Sequence, residues 1–212
     1  MISIFDSTSL RTTSTSQDAL NDLATRWNWK NIVYDTDVST NVKELWASDK
    51  ICITLSTGNT PYLTVKHTNE VSQTTNSVFT RYHIVSTDNA TALIALNTSS
   101  SSQYTLYICV AKTIDPNGLE SGGIMMHPAS SGTEYSFTDN ITTATNVSYN
   151  TGNWNTDSQV NTVVVPIYSL TGDEYFKDIY FQFVKKSTDT GKVILNDQYY
   201  YFAGKIALAY TP

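Results

Sequence analysis

The side chains that most often carry catalysis are thinly and separately placed in this chain. His67, His83 and His127 fall in three different segments, with no HExxH, no CxxC and no metal-ligand spacing. A lone histidine inside a strand pattern reads as a satisfied, half-buried side chain. There is no GxSxG elbow, no P-loop and no GxGxxG. Asp35-Thr36-Asp37 opens like a calcium loop but lacks the glycine at the sixth position and the closing Glu, so it reads as a turn beside a strand. Glycoside hydrolysis needs two carboxylates flanking one bond, and the spacing of the 19 acids offers no way to pair them. The expectation is a non-enzyme with no catalytic residue, no metal ligand and no cofactor.

Aromatic residues are the one enrichment with chemical potential. Of the 21 Tyr and Phe residues, ten lie between Tyr175 and Tyr210. Sugars and bases stack on such rings, which makes Tyr149, Trp154, Tyr199, Tyr200 and Tyr201 the candidate interface or ligand-stacking residues. The competing reading is core. In DIYFQFV, Ile179, Phe181 and Phe183 alternate with Tyr180 and Gln182, giving one apolar and one amphipathic face. In YYYF, Tyr199 and Tyr201 share one side and Tyr200 and Phe202 the other.

The elements that must position these rings are β-strands. Ser, Thr and Asn make 72 of the 212 residues, while charged residues are 15% and aromatics 12%. That balance argues against disorder and suits half-buried pleated surfaces. Short β runs recur between polar turns: NIVYDTD, ELWASDKICITLS, PYLTVKH, VFTRYHIVS, TALIALN and QYTLYICVAKTI. ALIAL and LYICVA are continuously apolar, which predicts strands buried on both faces or lying under a helix. One helix is expected, over SQDALNDLATRW, with Ser16 as cap and Ala19, Leu20, Leu23, Ala24 and Trp27 on one face. DPNGLESGG reads as a turn, GIMMHPA and TEYSFTD as weak strands, and the stretch near 115–158 as a long polar excursion. Strong β signal returns in QVNTVVVPIYSL, DEYFKDIYFQFVKK and GKVILNDQYYYFAGKIALAY. There, KVIL should pair with YYYF across an Asn196-Asp197 turn, with a bulge at Gly204. The predicted fold is mainly β: one antiparallel sandwich or barrel-like domain over residues 1–212, with a short N-terminal amphipathic helix.

Net charge is −6. Between Arg81 and Lys177 the only Lys or Arg is Lys112, against eight acids. Nucleic acid and anionic membrane surfaces both require the opposite sign. The N-terminal stretch lacks the pattern of a secretory signal, and no run approaches a membrane span. Cys52 and Cys109 sit in apolar strand patterns and read as buried free thiols, with a disulfide between neighbouring strands as the alternative.

FTRYHIVSTDNATALIALN, QYTLYICVAKTID and the closing DIYFQFVKK…GKVILNDQYYYFAGKIALAY resemble virion-associated structural proteins of tailed bacteriophages of the gut-phage type. The resemblance implies a non-enzymatic subunit of a tail, baseplate, neck or capsid surface. Its partners would be copies of itself and other virion proteins. Its location would be the virion, after assembly in the bacterial host cytoplasm. No functional residue carries over from it. A receptor- or glycan-binding module of the particle is the alternative expectation.

Overall fold

A computed structural model of the chain describes residues 1–6, 15–26, 32–34, 44–55, 62–68, 72–75, 79–97, 104–127, 134–139, 145–147, 163–168, 174–183, 191–203 and 206–212. Strand β1 (Ser3–Asp6) precedes helix α1 (Thr15–Arg26). Five short strands then form a sheet of their own in chain order: β2 (Ile32–Tyr34), β3 (Glu44–Trp46), β4 (Ile51–Leu55), β5 (Leu63–His67) and β6 (Ser72–Thr74). The next strands are β7 (Phe79–Ser86), β8 (Ala90–Asn97), β9 (Tyr104–Ile114), β10 (Glu120–His127), β11 (Glu134–Thr138) and β12 (Thr145–Val147). The last are β13 (Val163–Tyr168), β14 (Tyr175–Phe183), β15 (Gly191–Leu195), β16 (Gln198–Ala203) and β17 (Ile206–Tyr210). Strands β7 to β17 join β1 in a twelve-stranded sheet, and every pairing among the described residues is antiparallel. The fold is therefore mainly β and antiparallel, with one helix among the described residues, as the sequence predicts.

The twelve-stranded sheet is two arms spliced at β9 and β14. One edge of β9 is taken by β10 from Tyr107 to Ile114. The other edge is shared: β8 occupies Tyr104 to Ala111, and β14 takes over at Thr113 and Ile114. Strand β14 changes partner in turn. Tyr175 and Phe176 pair with β9, whereas Ile179 to Phe181 pair with β17. Between them Asp178 takes φ +63°, a left-handed conformation that Asp tolerates better than most residues. The left-handed residue re-aims the strand, as bulges do at sheet corners. The first arm runs β1-β7-β8-β9-β10-β11-β12, and the second comprises β13-β14-β17-β16-β15.

The first arm is apolar on both faces, because alternate side chains enter different cores. Ile84, Leu93, Ile108, Val110, Ile124 and Met126 meet Leu20 and Leu23 of α1 and Ile53 and Val65 of the five-stranded sheet. Val85, Ala92, Ile94, Cys109 and Met125 meet Phe176, Ile179, Phe181 and Leu208 of the second arm. The result is a three-layered sandwich with the first arm in the middle. This explains the uninterrupted apolar runs in ALIAL and LYICVA, which the alternating strand β5 lacks. There, Leu63 and Val65 are buried in the first core while Lys66 is exposed.

Polar ties hold the outer layers in register. Tyr82 Oη, beneath the helix, donates to Asp22 Oδ2 at 2.5 Å, and Arg26 Nη1 pairs with Asp22 Oδ1 at 3.2 Å. Ser86 Oγ donates to the Arg26 carbonyl at 3.2 Å, satisfying an orphan acceptor at the helix C-terminus. Asp139 accepts from the hydroxyls of Ser48 and Ser121, and its carbonyl accepts from Lys50 Nζ at 2.9 Å. That group joins the β3–β4 turn to β10 and β11.

Several sequence expectations shift in detail. The helix begins at Thr15, so Ser16 lies within its first turn rather than at its cap; Trp27 lies outside the described residues. The segment near 115–158 carries β10, β11 and β12. The turn read in DPNGLESGG lies at Asp115–Leu119, where Asp115 Oδ1 accepts from the main-chain N–H groups of Asn117 and Leu119 at 2.9 and 2.8 Å. The β15–β16 hairpin forms as expected, with Asn196 and Asp197 at φ +49° and +63°, the pair of left-handed residues a type I′ turn demands. Gly204 is outside the described residues.

Candidate functional site

Register decides where the tyrosine run points. Tyr201 is buried in the second core and Tyr199 packs against it, its ring 5.8 Å from that of Tyr210. Tyr200 and Phe202 therefore lie on the other, outer face of the second arm, where Tyr200 is half-buried and Phe202 is buried. Tyr200 meets Tyr180 edge-to-face at 5.5 Å and Phe202 at 6.4 Å. The pairings Tyr180↔Ala207, Phe202↔Ala207 and Tyr200↔Ala209 set small alanines between the rings, which is what lets rings on alternate strands approach. Burial raises the phenol pKa of Tyr200. Of the five aromatic residues singled out in the sequence, Tyr200 alone is placed on this outer face, Tyr199 and Tyr201 turn to the core, and Tyr149 and Trp154 lie outside the described residues.

Beside this face the splice leaves a cleft of about 170 Å³, lined among others by Asp88, Asn89, Asp178, Tyr180, Gln198 and Tyr210. Its existence follows from the partner exchange. Strand β8 stops at Ala111 of β9 and β14 begins at Thr113. At the intervening Lys112 the main-chain N–H donates to Asn89 O at 2.9 Å. The β7–β8 turn thus stands against the bend of β14. The turn is self-braced, because Thr87 Oγ1 accepts from the N–H groups of Asn89 and Ala90 at 3.3 and 3.1 Å. Across the cleft Asp178 Oδ2 accepts from Asn89 Nδ2 at 2.8 Å and from Thr87 Oγ1 at 3.3 Å. Gln198 Nε2 donates to the carbonyls of Tyr199 and Tyr210, both at 3.1 Å, which fixes the plane of its amide. Asp88 is largely exposed and pairs with the Met1 ammonium at 3.2 Å.

Beneath the splice, on β9, β10 and β14, is a small ion-pair group. Glu120 lies 3.1 Å from Lys177 Nζ and 3.6 Å from Lys112 Nζ. The hydrogen bond from Lys177, helped by the charge of Lys112, holds its carboxyl below the usual range.

The remaining reactive residues sit apart from the cleft. Cys52 and Cys109 are both free and buried. Burial pushes the Cys52 thiol up to about 12, with a further push from Glu44, and burial raises Cys109 as well. Cys109 faces the second core, away from the five-stranded sheet that carries Cys52, so the free-thiol reading holds. The histidines occupy separate strands, with His127 stacked on Tyr107 at 5.4 Å. Among the described residues no three His, Cys, Asp or Glu side chains cluster as a metal site would require. The cleft residues Asp88, Asn89, Asp178 and Gln198 were not singled out by sequence reasoning. A signal for Asp178 was present: Phe176 and Ile179 enter the same core three positions apart, so the alternation slips by one residue between them.

Fold and cleft together define an antiparallel three-layer β-sandwich with a polar notch at its sheet splice. Comparisons of the chain with protein-family models, with curated proteins and with solved structures find no match.

Proposed function

We propose that this chain is a non-enzymatic structural subunit of a bacteriophage virion, assembled through strand and loop contacts with copies of itself and other virion proteins. The observation that carries the reading is the terminal strand β15. It pairs only with β16 among the described residues, and Ile194 on it is 60% exposed. An edge strand with a solvent-exposed apolar side chain is a template for strand addition, which draws affinity from main-chain hydrogen bonds. The proposed setting of synthesis and assembly is the bacterial host cytoplasm, and buried free thiols suit a reducing compartment. Sedimentation velocity across a concentration series tests the assembly step. Wild type should form discrete oligomers, and Ile194→Lys should return it towards monomer. A wild-type chain that stays monomeric at high concentration and is missing from purified particles would overturn the reading. A receptor- or glycan-binding role is the second reading, and the cleft at the splice is what favours it.

A further inference from the structure

We infer that the cleft between the β7–β8 turn and the bend of β14 binds a single neutral saccharide ring, with Asp88, Asn89, Asp178 and Gln198 as its hydroxyl partners and Tyr180 as its apolar wall. The inference deepens the second reading above and rests on it, while standing apart from assembly.

The lining selects the ligand class. Its side chains combine carboxylates, carboxamides and threonine hydroxyls with tyrosine rings. A carboxylate accepts from vicinal hydroxyls, a carboxamide both donates and accepts, and an aromatic ring covers the C–H face of a pyranose. An anion would meet the carboxylates of Asp88 and Asp178, and the one cation in the lining, the Met1 ammonium, is already paired with Asp88 at 3.2 Å. A purely apolar ligand would dehydrate the carboxylates of Asp88 and Asp178 and leave their remaining acceptor positions unfilled. A divalent cation would find two carboxylates, one of them largely exposed and the other already accepting two hydrogen bonds. A volume of about 170 Å³ suits one sugar ring rather than a chain.

The site is also braced before any ligand arrives. Asp178 is held by Asn89 and Thr87 from the opposite arm, Gln198 by two carbonyls, and Tyr180 by its edge-to-face contact with Tyr200. Fixed side chains lose little freedom on binding, so weak individual contacts can add up to usable affinity. Asp178 keeps a left-handed backbone inside a strand, and sparsely populated conformations of this kind concentrate at binding sites.

The test uses the full chain, uniformly 15N-labelled and titrated with glucose, galactose, mannose, fucose and N-acetylglucosamine, alongside a glycan array. Methylammonium chloride serves as the cationic probe. At least one sugar should shift the amide signals of Asp88, Asn89, Asp178 and Gln198. Asp88→Ala and Gln198→Ala, both at exposed positions, should each weaken binding about tenfold, the expected loss for one hydrogen bond to a fixed polar partner. Lys192→Ala on β15 should bind as wild type. Sugar binding that survives both cleft variants unchanged overturns this site while the binding-module reading stands. No sugar bound by wild type in either assay overturns both. Shifts at the cleft produced by methylammonium and by no sugar reassign it to an amine and overturn the saccharide inference.

Discussion

Replacing Gly123 by alanine tests the packing of the splice with a single methyl group. A Cβ at this position would lie 2.7 Å from Thr113 Cγ2, 2.8 Å from Phe176 Cε1 and 3.0 Å from the Phe137 carbonyl oxygen. Carbon atoms in good contact sit about 3.5–4.0 Å apart, so all three neighbours must retreat. None can swing into water, since Thr113, Phe176 and Phe137 are 1%, 2% and 1% exposed. Thr113 and Phe176 are register partners, so moving the ring pulls β14 away from β9 where the arms join. Overpacking of this kind costs about 1–3 kcal/mol. Alanine's lower backbone entropy cost in a strand returns roughly 0.5–1 kcal/mol. The net expectation is a loss of about 1 kcal/mol, or about 2–4 °C in Tm for a chain of this length. Thermal and urea unfolding measure it. The double variant Gly123→Ala/Thr113→Ser moves the methyl from one side of the contact to the other, and should be about 1 kcal/mol better than the sum of the single changes. Gly118→Ala is the contrast. Gly118 has φ +79° with nothing within 4 Å of the added methyl, so its cost is conformational, about 1 kcal/mol, and Thr113→Ser should not relieve it. A Gly123→Ala protein as stable as wild type, or a strictly additive double variant, would refute the reasoning.

Three further outcomes follow from the splice and from the buried thiols. Asp178→Asn, which keeps left-handed tolerance and an oxygen acceptor, should cost less than about 1 kcal/mol in urea unfolding, while Asp178→Ala should cost about 2–3 kcal/mol by removing the carboxylate that accepts from Asn89 Nδ2 and Thr87 Oγ1 and by placing alanine at φ +63°. Equal losses in the two variants would contradict the assigned role. Neither thiol should react with an aromatic disulfide reagent at pH 8 in the native protein, and both should react in urea. Because the folded Cys52 thiol is pushed up to about 12, folding favours its protonated form, so its contribution to stability is intact below the unfolded thiol value and is lost as pH rises from there towards about 12. Cys52→Ser should flatten that alkaline loss in pH-dependent unfolding; an unchanged slope would refute it.

How much of this was legible in the sequence depended on whether one strand's side chains told the whole story. The continuous runs around Leu93 and Ile108 announced a sheet buried on both faces, because no polar residue interrupts them. Asn196-Asp197 announced a tight hairpin, because few residue pairs accept two left-handed conformations. Strands β1 and β6 carried no comparable signal. SIFD and SQT are too short to show a period; β1 is held by a partner distant in the chain, Ser86 opposite Ser3, and β6 only by the strand just before it, Lys66 opposite Ser72. The segment near 115–158 read as a polar excursion, although the glycines in ESGGIMMH lie in a strand; Gly123 is there for the closeness of Phe176, a neighbour that is remote in sequence. The tyrosine run showed its alternation plainly but not which face was inner, since both faces carry rings.

The cleft is harder to foresee for a related reason, and the same reason explains why it exists. An unbroken sandwich would let β8 cover the whole edge of β9. Here the slip at Lys177-Asp178 ends one pairing and starts another, so two strands must share that edge and cannot fill it flush. Main-chain groups left at such a junction need partners. The Lys112 N–H finds the Asn89 carbonyl, the N–H groups of Asn89 and Ala90 find Thr87 Oγ1, and the Tyr210 carbonyl finds Gln198 Nε2. The notch is thus polar because the sheet is spliced, and rigid because its polar groups are already bonded to one another. A single residue out of phase between Phe176 and Ile179 sets both properties, and it also turns Tyr180 to the outer face beside Tyr200.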